Sequence, residues 1–310
     1  APVSGGLHRL QLCLLGGGPG DGVRGTHRRL YRGGVCGGDS QRHRSPPGGA
    51  ATDGLDLPMD NDLPGAKEPK DHRFLDEAGD TTFYGKNRRI IIGQEGVSMS
   101  FAIGMAKINV DIISVRNKIM ELQREVSADS YLNVIPSIRK RMEKGGFFFH
   151  ATDDPPEVRQ VFYKFLRDLD CSIEVVVARK KAEIYASKHN NREAEFYADI
   201  LSHLIKNKLR MGRELVLNIA HRSNSTSNRN LEAALDKAVG RFLKKRAPEE
   251  ICTRVSFNVQ NHLTEPLLNI ADYLCWSVQR VFEKGETRYY DYMRDRISVV
   301  LDLYDTANYH

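Results

Sequence analysis

His72-Arg73-Phe74-Leu75-Asp76-Glu77-Ala78-Gly79-Asp80 is the stretch on which the reading of this chain turns. A short apolar strand, residues 72–76, runs directly into three carboxylates and a glycine. Acids at the end of a buried strand are costly unless something binds them, and the natural binder is a divalent cation. Asp76 and Glu77 are neighbours on a strand, so they point to opposite faces. Asp76 follows Phe74 by two and shares its face. Asp80, past Gly79, reads as a turn-forming aspartate that a turn can also bring back toward the site.

Downstream, Arg89-Ile90-Ile91-Ile92 reads as a second strand. Met99, Phe101, Ile103 and Met105 alternate with small residues as a third. Short connections between three strands predict an antiparallel meander. Beyond it, helical spacing over 111–126 and 132–142 gives two helices. The run Phe147-Phe148-Phe149-His150 reads as a strand closed by Asp153-Asp154-Pro155-Pro156, and Glu157–Leu169 as a helix with prolines at its start. Residues 173–178 predict a strand, 181–209 a long charged helical region, and 214–220 an interior strand. A polar loop, 221–230, precedes a helix over 231–243. Then come a half-exposed strand over 254–260, a helix from Thr264 to about Phe282, and a last amphipathic helix over 286–305. A meander followed by alternating strands and helices predicts an α/β domain with a mixed sheet flanked by helices.

Upstream the composition changes abruptly. Residues 1–58 hold fifteen of the 26 glycines, seven Arg and four Asp, and no Lys, Glu or Met. Only Leu7–Leu15 is apolar, and it is too short to stand as an element. Such a segment cannot bury enough apolar surface to offset its chain entropy, so it is expected to be disordered. Two readings stand: a basic tail that touches nucleic acid, or, favoured by the change at Met59, translation from a start assigned too early. Residues 59–71 are a polar leader, and 72–310 form one domain.

Net charge is +6, of which +3 lies in residues 1–58, so the body is close to neutral and makes no strong electrostatic case for nucleic acid. Five scattered cysteines without a CxxC pair argue against a disulfide framework or zinc knuckle and fit a reducing, cytoplasmic setting. No apolar run approaches a membrane span. Walker, dinucleotide, HExxH and GxSxG motifs are absent.

The search for partners of Asp76 leads to the helix that begins at Thr264. Asp272 lies at the edge of its core stripe in Leu268-Asn269-Ile270-Ala271-Asp272-Tyr273-Leu274, with Glu265 two turns earlier on nearly the same line. Asp153, with Asp154 as second choice, ends the Phe147–His150 run and is the candidate for a central acid, although Asp-Asp-Pro-Pro is also ordinary helix-entry chemistry. His150 itself reads as a core histidine. Arg222 and Arg229 flank a loop able to hold phosphates, for which a solvated loop is the preferred reading.

With these residues in place, the chain resembles the domain-of-unknown-function family 3800. Phe74-Leu75-Asp76-Glu77-Ala78-Gly79-Asp80 is similar to its "xxDESGD" opening, and Leu268-Asn269-Ile270-Ala271-Asp272-Tyr273 to its closing helix. The resemblance spans about Arg73 to Phe282. It implies an RNase H-like fold, with the first catalytic Asp on strand one (Asp76) and an acid on a late helix (Asp272). By analogy of fold it also implies a divalent-metal-dependent nuclease or phosphodiesterase acting on nucleic acid. Mg²⁺ or Mn²⁺ would be held by Asp76, Asp272, Asp153 and Glu77, with Asp76, Asp272 and Asp153 catalytic. One departure is His221, which ends the 214–220 strand where an acid would fit the pattern. The alternative is a non-catalytic binding or structural module on the same scaffold. Tyr289, Tyr290, Met293, Ile297, Val300 and Leu301 of the last helix are a core stripe or a dimer face.

Overall fold

The computed structural model describes residues 9–12, 70–222 and 226–305. Seven strands form one mixed sheet: β1 (Arg9–Leu12), β2 (Lys70–Gly79), β3 (Ser100–Ile108), β4 (Cys171–Arg179), β5 (Glu214–Ala220), β6 (Arg254–Gln260) and β7 (Ile297–Leu303). Their spatial order is β1-β6-β5-β2-β3-β4-β7. β2, β3 and β4 are successive antiparallel neighbours, while β5 runs parallel to β2 and β6 parallel to β5. A three-strand meander joined through its first strand to two parallel strands is the RNase H-like arrangement, and the fold is α/β of that type.

The meander is built from other strands than the local pattern predicts. Arg89–Ile92 is not a strand. A 3-10 turn, Lys86–Arg88, precedes it and a single bridge, Tyr84 to Ile90, is all it pairs. Asn87 and Arg88 are both left-handed (φ 55° and 56°), which breaks extension, and Ile90 is 51% exposed. The third strand is β4, reached only after three helices: α1 (Ile112–Ala128), α2 (Pro136–Glu143) and α3 (Pro156–Asp168).

Phe147–His150 is not paired into the sheet either. It anchors by its rings: Phe149 stacks on Phe162 of α3 at 4.3 Å between centroids. The expected helix over 181–209 is split into α4 (Ala182–His189) and α5 (Glu193–Ile205), because Asn190 and Asn191 are left-handed. α6 (Asn228–Leu243) and α7 (Leu268–Lys284) fall where expected. The last segment is only a short α8 (Arg288–Met293) and then β7, whose run Ile297-Ser298-Val299-Val300-Leu301 favours extension and pairs parallel with β4. The proposed continuous stripe on a last helix is thus divided: Tyr289 and Met293 are buried on α8, while Ile297, Val300 and Leu301 lie on β7. Arg9–Leu12 pairs antiparallel with β6, an element not anticipated in that segment. The rest of the expected disordered region and of the leader lies outside the described residues, apart from Lys70 and Asp71 in β2.

Alternation along β2 sorts its side chains between two cores. Phe74 and Ala78 join the layer of α1, α2, α3, α7 and α8. Leu75 joins the layer of α5 and α6. Gly104, opposite Asp76 across the β2–β3 ladder, lets α7 settle close: a Cβ there would lie 2.9 Å from Cys275 Cβ. Among the described residues no helix is long and apolar enough to cross a membrane.

Candidate active site

Asp76 sits on the α7 side of β2 and is nearly buried. Its Oδ1 accepts the Glu77 amide at 2.8 Å and its Oδ2 lies 2.7 Å from His262 Nε2. His262 occupies the turn between β6 and α7. Asn261 shapes that turn by accepting the amides of Leu263 and Thr264 through its side chain, both at 3.0 Å. Phe148 stacks on the His262 ring at 5.5 Å, which fixes its plane. Burial alone would lower the basicity of His262, but the charge and hydrogen bond of Asp76 outweigh it and raise its pKa.

Asp272 enters the same space from α7. It is buried, and its Oδ2 accepts the Ala151 amide at 2.7 Å. Its pKa is raised from 3.8 to about 6, by burial first, with the Asp76 charge adding to the rise and His150 and His262 opposing it. His150, in the segment leading to α3, has its ring 6.4 Å from that of His262. Two carboxylates and two imidazoles therefore converge from four parts of the chain: β2, the loop before α3, the β6–α7 turn and α7.

The other expected acids lie elsewhere. Asp153 is largely exposed and reaches only His150, whose Nδ1 stands 3.4 Å away. Asp154 is locked inside an ion pair with Arg141 and a hydrogen bond from Tyr273 Oη, and accepts the His150 amide at 2.8 Å. Through the His150 amide it fixes the backbone of the loop before α3, and its charge is balanced by Arg141. Glu77 points to the opposite face of β2, as alternation requires, and pairs with Arg222 Nη1 at 2.9 Å. Burial raises its pKa to about 7, with Arg222 opposing. It cannot share a cation with Asp76 across the sheet. Asp80 is a turn residue: it accepts Ser98 N at 2.6 Å, Thr82 N at 2.8 Å and Lys180 Nζ at 3.0 Å. Burial would raise its pKa, yet the bonds to Ser98, Lys180 and Thr82 bring it down to about 2. Glu265 is held by Arg116 through two bonds of 3.1 and 2.8 Å. His221, at the end of β5, is exposed. Arg222 is committed to Glu77, and residues 223–225 of the candidate phosphate loop lie outside the described residues.

Among the described residues no group of three or more His, Cys, Asp or Glu is spaced to hold a metal ion. Asp272 is a fully buried acid whose ionisation Asp76 opposes, and a divalent cation between them would relieve that repulsion. His262 is the residue that sequence reasoning passed over. Its only local signal is its position, just beyond a strand that runs parallel to β5 and one turn ahead of the Asp272 helix.

Fold and site together define an RNase H-like α/β domain with a buried Asp–His cluster beside its central strand. No family model matches the chain, and neither does any curated protein or solved structure.

Proposed function

We propose that this domain is a divalent-metal-dependent phosphodiesterase of the RNase H-like kind, related to the domain-of-unknown-function family 3800 and acting on nucleic acid. The observation that carries the reading is the meeting of the buried Asp76 and Asp272 with the partly buried His150 and His262, close enough that the Asp76 charge helps hold the proton on Asp272. Mg²⁺ or Mn²⁺ held by the two carboxylates would supply an activated water and a Lewis acid for the phosphoryl oxygens. Asp272, whose pKa burial and the Asp76 charge raise to about 6, would give up its proton on binding the cation. His262 Nε2 lies 2.7 Å from Asp76 Oδ2, whose charge and hydrogen bond raise its pKa above the ordinary value, so the imidazole would take up a proton more readily than a free one. Asp154 fixes the His150 backbone through its amide, and Phe148 stacks on the His262 ring. The described cysteines, Cys171, Cys252 and Cys275, are free, which supports a reducing, cytoplasmic setting.

The non-catalytic reading draws on one observation, the lack of a three-ligand group among the described residues. It predicts carboxylates neutralised by Arg or Lys, whereas Asp76 faces a histidine and Asp272 a backbone amide. A cleavage assay on labelled RNA and DNA, with and without Mn²⁺, separates the two. Cleavage that requires the cation and is lost in both Asp76→Asn and Asp272→Asn, with circular dichroism unchanged, is the expected result. Cleavage that survives both substitutions, or none by the wild-type protein, leaves the binding-module reading.

A further inference from the structure

A cavity of about 570 Å³ opens between α3 and α8, beside α7. Three aromatic rings (Tyr163, Tyr289, Tyr292) and three cations (Arg159, Lys164, Arg288) line it. Glu157 is the one acid in its wall and Gln160 offers an amide. Tyr163 and Tyr289 are stacked at 5.3 Å, and Trp276 backs Tyr289 from behind the wall with its ring 4.9 Å away. Tyr292 stands 44% exposed with the Arg167 guanidinium 5.7 Å from its ring, Arg288 lies over Tyr289 and pairs at 3.5 Å with Glu286, and Lys164 is exposed with no ion pair among the described residues. Flat rings set among cations in a concavity suit a base with its phosphates: the ring gives a stacking surface and the cations take the backbone.

The cavity is tied to the Asp–His cluster through one loop. Arg159 Nε donates to the Ala151 carbonyl at 2.7 Å, and the Ala151 amide is the group that holds Asp272. The same guanidinium lies 4.7 Å over Trp276, four residues and hence one helical turn from Asp272. Arg159 therefore belongs both to the cavity wall and to the loop that holds Asp272.

We infer that this cavity is a nucleotide subsite for single-stranded nucleic acid, with an unpaired base stacked on Tyr292 and flanking phosphates held by Lys164 and Arg288. The inference rests on the proposed phosphodiesterase reading and narrows its substrate, because a base still paired in a duplex cannot present its face to a ring inside a concave site. Gln160 is placed to meet the base edge.

The test is fluorescence anisotropy of a labelled twelve-residue oligo-dT and of a DNA duplex of equal length, using the full chain in EDTA so that binding is read apart from cleavage. The wild-type protein is expected to prefer the single strand. Tyr292→Ala should weaken that binding by about 5-fold or more, the low end of what one stacked base contributes, and Tyr292→Phe should restore it. Lys164→Glu should weaken binding and flatten its dependence on salt. Both Tyr292 and Lys164 are exposed, so folding is not at stake. Equal affinity for duplex and single strand, no binding of either, or wild-type binding by Tyr292→Ala overturns the subsite. Single-strand binding that shows this pattern without any cleavage in Mn²⁺ overturns the phosphodiesterase reading and leaves the subsite standing.

Discussion

His262 Nε2 and Asp76 Oδ2 lie 2.7 Å apart although 186 positions separate them in the chain. The pair joins the middle of the central strand to the turn that launches α7, so the geometry of the candidate site depends on the whole sheet closing correctly. It also raises the pKa of His262 above its ordinary value. His262→Gln, which keeps a donor near Asp76, is expected to fold normally and to lower kcat of any phosphodiesterase activity at least 10-fold with KM little changed, within the range general acid–base groups contribute. A variant with unchanged kcat would assign His262 a purely structural part.

Asp272 predicts a pH signature in stability. Its folded pKa, about 6, lies above the ordinary 3.8. The folded state therefore binds the proton more tightly, and this group's contribution is favourable below about pH 4 and lost as pH rises toward 6 and beyond. The loss is at most about 3 kcal/mol at neutral pH. Asp272→Asn keeps an acceptor for the Ala151 amide and should be more stable than the wild type at pH 7.5, with the difference shrinking toward pH 4. Denaturant melts of both proteins across that range measure it.

Cation binding should follow the same groups in the opposite sense. A divalent ion at Asp76 and Asp272 competes with the proton on Asp272 and with the proton His262 shares with Asp76, so binding strengthens as pH rises through about 6. Mn²⁺ is expected to raise Tm at pH 7.5, to do so much less at pH 5.5, and to have no such effect on Asp272→Asn. Equal shifts at both pH values would place the ion elsewhere.

Glu77 and Arg222 make a pair whose partners are unequally buried: the carboxylate side chain is 3% exposed and the guanidinium 32%. Arg222→Ala leaves a buried acid without its counter-ion and should destabilise by about 2–3 kcal/mol, somewhat less than for a wholly buried pair. Glu77 then titrates above its present value of about 7, so the loss is greater at pH 8 than at pH 6. Adding Glu77→Gln should recover much of it, and a double-mutant cycle by chemical denaturation reads the coupling.

Gly104 sets the distance of α7 from the sheet. A Cβ at this position would meet Ile173 Cδ1 at 2.7 Å and Cys275 Cβ at 2.9 Å. The isoleucine can turn aside, but the cysteine Cβ moves only with the α7 backbone. Gly104→Ala should cost about 1–3 kcal/mol and displace Asp272 relative to Asp76. Its Tm and its Mn²⁺ response should fall together.

Much of the architecture was legible in local pattern. The 214–220, 254–260 and 173–178 strands, the helices over 111–126 and 231–243 and the Asp272 helix all appear within a few residues of their predicted spans. So does the split between the faces of Asp76 and Glu77, since a period of two admits nothing else. Misreadings fell where partners, not propensities, decide. Ile90-Ile91-Ile92 has strand composition but two left-handed residues ahead of it, and the place beside β3 is filled by β4. The sequence reading puts Asp153 ahead of Asp154; packing leaves the first in solvent and buries the second under Arg141 and Tyr273.

The sequence by itself determined an α/β chain whose Asp76 projects from a buried strand and whose Asp272 rides the core edge of a late helix, because periodicity records which side of an element is buried. Tertiary structure alone decided that β4 completes the meander, that β7 extends the sheet, and that His150 and His262 stand with the two aspartates. Those outcomes depend on strand register and on contacts between segments far apart in the chain, where pairing and ring stacking are settled by what else fills the space.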